Sequence, residues 1–67
     1  MESEALRTAP IAEQIEALRE HEASCWNMSA VFLHAKDAHG LHDMGVEIQG
    51  IQWALRELEK ALLAEKA

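Results

Sequence analysis

The chain predicts an all-α fold, an antiparallel two-helix hairpin that dimerises into a four-helix bundle. Three observations carry that expectation. Ala, Leu and Glu dominate, all strong helix formers. No period-two alternation persists and no Asn-Gly or Asp-Gly pair signals a β-hairpin. Finally, Leu41, Met44, Ile48, Ile51, Leu55, Leu58 and Leu62 follow spacings of 3, 4, 3, 4, 3 and 4 without a miss, an uninterrupted a/d seam.

Residues 1–8 read as an acidic leader, opening Met1-Glu2-Ser3-Glu4, where a secretory signal would be basic and then apolar. Residues 9–67 form one helical-hairpin domain. Thr8-Ala9-Pro10 reads as a helix start, because Thr caps and Pro loses nothing in a first turn whose N–H groups are unpaired anyway. The first helix is expected over about 9–38. Its stripe runs Ile11, Ile15, Leu18, Cys25 and Phe32, interrupted by Glu22 and Ser29, and it widens between Cys25 and Ala35 to take in Trp26, Met28, Val31 and Leu33. Arcs that wide belong to helices contacted on several sides.

A turn is expected near 39–41, with Gly40 in the left-handed position that ends a helix and His39 at a favourable carboxyl terminus. The stripe also changes phase there. The second helix, about 41–65, carries the seam. Folding at Gly40 pairs residues whose numbers sum to about 80, which sets Phe32 near Ile48, Cys25 near Leu55 and Trp26 level with Trp53. Cys25, Trp26, Met28, Phe32, Leu33, Ile48, Ile51, Leu55 and Leu58 are the expected core and dimer residues. A bare hairpin leaves half of each helix's apolar surface wet, so a second hairpin is expected to cover it.

Composition narrows the function. Sixty-seven residues with a single cysteine form no intrachain disulfide, and chains this short gain stability from a metal or a partner. The net charge is −6, and of the eighteen charged residues eight precede Ala23. An acidic chain without a basic run lacks the Lys/Arg density that nucleic-acid binding requires. No apolar run approaches the length of a bilayer span. A cytoplasmic setting is therefore expected.

No phosphate-binding glycine loop, nucleophile elbow or H-E-x-x-H motif is present, so an enzyme is not expected, and neither is a cofactor. Cys25 falls on an apolar stripe and no Lys or Arg lies within five residues, so it reads as a packed thiol. His34, His39, His42 and Asp43 crowd the turn. Imidazole with carboxylate suits Zn, Ni or Fe, and a metal-binding bundle is the alternative to a polar turn that caps two helices. His21 reads as an isolated surface residue.

The remaining anomaly is on the second helix. With the seam at a and d, Val46 and Trp53 both fall at f, facing away from the partner helix, with Gly50 between them. An exposed Trp beside a small residue is the composition of a binding hot spot. The sequence therefore points to a non-enzymatic interaction module that binds another protein and modulates it as inhibitor, anti-activator or adaptor. Val46, Gly50 and Trp53 form the contact, a homodimer is the working form, and the partner's surface is basic. An RNA-binding hairpin dimer is the weakest alternative.

Overall fold

The structure, a computed structural model, describes residues 9–66, so the leader expected over 1–8 and Thr8 as a cap lie outside the described residues. It consists of two packed helices, α1 (Ile11–His34) and α2 (Ala38–Lys66), with no strand among the described residues. At 1.5 Å per residue they run about 36 and 43 Å. Ile15 and Cys25 from α1 meet Ile48, Ile51 and Leu55 from α2 in a buried strip, flanked by half-buried Ile11, Leu18, Met44, Leu58 and Leu62. From Met44 to Leu62 the α2 seam faces α1, as its spacing predicts, while in the first turn Gly40 rather than Leu41 meets α1. Among the described residues no side chain is completely enclosed, because a single layer of two helices covers each on one side only.

α1 begins two residues later than expected. Pro10 stays extended, at φ −53 and ψ 148, and serves as the N-cap residue rather than as part of the first turn. Its carbonyl accepts from the N–H groups of Glu13 and Gln14 at 3.0 and 3.1 Å. The Gln14 amide donates back to the Ala9 carbonyl at 2.7 Å, tying down the segment before the helix.

The turn corrects the expectation of a break at 39–41: it lies at Ala35-Lys36-Asp37, and α1 ends at His34 rather than Ala38. Lys36, not Gly40, takes the left-handed conformation, with φ 57. The Lys36 N–H donates to the Leu33 carbonyl and the Asp37 N–H to the Phe32 carbonyl, at 3.0 and 2.9 Å. Those two bonds make a Schellman motif, which satisfies the last carbonyls of α1. Asp37 then starts the next helix: its carbonyl accepts from Leu41 N–H, and its Oδ1 accepts from Gly40 N–H at 3.0 Å. An aspartate cap of this kind contributes about 1 kcal/mol. It offsets the roughly 1–2 kcal/mol that a residue with a Cβ spends in the left-handed region.

Gly40 serves close packing instead of chain reversal. It is buried in the first turn of α2, and a Cβ built on it would lie 2.5 Å from Cδ1 of Phe32. The Phe32 ring therefore lies flat on the Gly40 backbone. This contact sets the register, and it corrects the pairing sum of about 80: Phe32 meets Gly40, not Ile48, and Glu22 bonds Gln52. His39 accordingly lies near the amino end of α2, while His34 occupies the last turn of α1, where the helix dipole favours a cation.

Candidate functional site

The outward strip of α2 follows from its seam. Asp43, Val46, Gly50, Trp53 and Glu57 recur at spacings of 3, 4, 3 and 4 on the side opposite the core. Trp53 is 61 % exposed and Val46 57 %. Nothing lies within 4 Å of a Cβ built on Gly50, so another backbone can approach there. An acid closes each end of the strip: Asp43 beside the two histidines, and Glu57, which accepts from Lys60 Nζ at 3.0 Å. Around the side of α2, Val46 and Gly50 join Leu18, His21, Glu47 and Ala54 in a shallow groove. Apolar surface edged by carboxylates is what this face offers a ligand.

Of the expected core, Cys25, Ile48, Ile51 and Leu55 are buried, and Phe32 and Leu58 are half-buried. Trp26, Met28 and Leu33, expected in the core or the dimer contact, lie outside the hairpin's buried strip and are exposed in the single chain, at 54, 46 and 66 %. On α1, Trp26 and Leu33 each sit about 100° around from the adjacent stripe residues Cys25 and Phe32, and Met28 about 60° from Cys25 on the other side. Trp26 is nonetheless held. Its Nε1–H donates to Glu22 Oε2 at 3.0 Å, and the Gln52 amide donates to the same oxygen at 3.2 Å. Glu22, an interruption in the apolar stripe, therefore ties α1 to α2 and orients an indole one turn further on. The Trp26 N–H first, and then the Gln52 amide, hold its carboxyl below the usual range.

His21 is not isolated. Its Nε2 lies 3.3 Å from Glu47 Oε1 across the helix interface and 4.0 Å from the Cys25 sulfur. Thiol, imidazole and carboxylate thus come together, but both neighbours face the same ring nitrogen. Relay between a carboxylate and a nucleophile uses the two nitrogens separately. Cys25 is also buried, at 5 % exposure. The arrangement is a cross-helix clasp over a packed thiol, complemented further along by Arg19 and Glu59 at 3.6 Å.

At the turn, His39 Nε2 lies 3.4 Å from Asp43 Oδ2, and His42 Nδ1 lies 3.8 Å from Asp43 Oδ1. His34 belongs to the end of the other helix. Among the described residues no three His, Cys, Asp or Glu side chains converge as a metal's ligands. None of the described helices is long and apolar enough to cross a membrane. No family model matches the chain, and no curated protein or solved structure matches it either.

Proposed function

We propose that the protein is a small non-enzymatic interaction module that works in the cytoplasm as a homodimeric helical bundle. It binds another protein and changes that protein's activity, as inhibitor, anti-activator or adaptor. The observation that carries this reading is the outward strip, where Trp53 stands largely in water on a rigid helix with Val46 and Gly50 beside it. Trp53 lies outside the hairpin's packed core, and Trp is among the side chains most enriched at binding hot spots. Asp43 and Glu47 next to Val46 favour a partner whose apolar contact is edged by Lys or Arg. In a chain of net charge −6 they also steer its approach.

The test is affinity capture from the native host, followed by reconstitution with the purified partner and an assay of that partner's own activity. Trp53→Ala is expected to weaken binding by about 30-fold or more, the loss of a hot spot, with helicity by circular dichroism unchanged. Full affinity in Trp53→Ala overturns the assignment of this strip.

A further inference from the structure

The two flanks of the hairpin differ in charge, and that difference says which one a second copy can cover. On one flank, Ala12, Ile15, Arg19, Trp26 and Leu33 recur along α1 at intervals of 3, 4, 7 and 7, and Gly45, Gln52, Glu59 and Leu63 recur along α2 at 7, 7 and 4. Two shallow grooves lie on this side. Trp26, Leu41, Gly45 and Gln49 line the one nearer the turn; Ala12, Ile15, Leu62 and Leu63 line the one nearer the open end. The charges here balance, with Arg19 and Arg56 against Glu22 and Glu59. Across the molecule, the other flank carries Asp43, Glu47 and Glu65 on α2, with His21 as its basic group on α1. Two copies stacked on that acidic flank would place like charges together. The balanced flank carries no net charge to repel a second copy, and the two Glu22 carboxylates that would meet at the axis each already accept from Trp26 and Gln52.

We propose that two copies pair antiparallel through the Trp26 flank, each turn end covering the other's open end. This rests on the interaction-module reading and gives its bundle a face and a register. Centred on the middle of α1, between Glu22 and Ala23, the pairing sets Trp26 over the partner copy's Arg19 and Ile15. Leu33 then lies over the partner copy's Ala12, at the edge of the groove that Leu63 completes. Exposed Trp26 and Leu33 thereby enter the other copy's groove, apolar apart from the Arg19–Glu59 pair that also lines it, and a two-fold axis makes both fits at once. The face measures about 36 by 20 Å, on the order of 700 Å² per copy, which is the size of one side of a standard stable interface. Trp26 enters already oriented by Glu22 and Gln52, and an indole over a guanidinium is itself attractive. The outward strip with Trp53 stays free for a different partner.

Sedimentation equilibrium on the full chain reads the mass, expected at twice 7.5 kDa. Leu33→Glu is expected to shift the protein to monomer with at least a tenfold weaker self-association. Leu33 is exposed in the single chain, so helicity is expected to persist at concentrations where monomer already dominates. Register is read in a Cys25→Ser background by mixing Ala12→Cys with Leu33→Cys. These positions are 21 residues apart on one helix, about 32 Å, so a disulfide between them joins two chains. Mixed 12–33 links support the pairing. A monomeric wild type, links confined to 12–12 and 33–33, or dissociation by Val46→Glu but not Leu33→Glu would each overturn it. Capture through Trp53 is scored separately, so a failure here is distinguishable from a failure of the partner-binding reading.

Discussion

Replacing Gly40 with alanine sets two known effects against each other and asks which one wins. In an open helix position, Gly→Ala stabilises by about 0.8–1.0 kcal/mol through backbone entropy. At Gly40 the added methyl would stand 2.5, 2.7 and 2.8 Å from Cδ1, Cγ and Cε1 of Phe32, against an ordinary contact of 3.4–4 Å. The crowded atoms include the root of the ring, so a flexible tip cannot simply swing aside. Ring or helix must move by close to an ångström, and overpacking of that kind costs about 1–3 kcal/mol. The lost seating of Phe32 also loosens the contact that sets register. The net expectation is destabilisation of about 1–2 kcal/mol, a large share of the roughly 3–5 kcal/mol available to a fold this small. Gly50, where nothing lies within 4 Å, is the control and should gain the full helix-propensity term. Urea unfolding followed by circular dichroism, at one protein concentration for all variants, reads both. The substitutions should shift the midpoint in opposite directions, and adding Phe32→Ala to Gly40→Ala should remove most of the penalty attributed to the clash. If Gly40→Ala stabilises as much as Gly50→Ala, the close approach of Phe32 is not what selects glycine there.

Two further outcomes follow from the turn and from the Glu22 bridge. Lys36→Gly relieves a left-handed residue of its Cβ without touching the two Schellman hydrogen bonds, so it should raise stability by about 0.5–1 kcal/mol. Equal or lower stability in the same urea assay would show that the Lys36 side chain matters more than its backbone strain. Glu22 has a folded-state pKa below its ordinary value, so the stabilisation it gives is complete above the usual carboxylate range. That stabilisation is lost as pH falls through the depressed folded value. The gap between wild type and Glu22→Gln should therefore be flat near neutrality and close in the acid range; a gap independent of pH would separate Glu22 from the Trp26 and Gln52 bonds.

Much of the hairpin is legible in the residues. The seam needs only heptad spacing to be read, and from Met44 to Leu62 its residues pack toward α1. The outward place of Val46, Gly50 and Trp53 follows from the same spacing by subtraction. The turn was harder, because glycine is the usual left-handed residue and Gly40 stood at a change of phase. The signal that would place it is Asp37, a favoured N-cap residue type just before the seam, whose side chain caps α2. The wide arc of Trp26, Met28 and Leu33 reads from sequence as core or dimer contact alike; the hairpin leaves it exposed, because a helix with one neighbour buries one narrow stripe. Spacing alone likewise gave no sign of the His21–Glu47 clasp or the Glu22–Gln52 bridge, since both pair residues on different helices.

By itself, then, the sequence determined that this protein is two helices, which side of the second faces the first, and which strip faces away. Those properties are local: they depend on residue spacing along a rigid 3.6-residue period, whatever the helix packs against. The tertiary structure decided where the chain reverses, which residues stand opposite each other and which polar groups cross between the helices. Those depend on a side chain meeting a surface far away in sequence, as the Phe32 ring does on the bare backbone of Gly40. A difference of one helical turn in that contact re-pairs every residue down the hairpin, and no count along a single helix contains it.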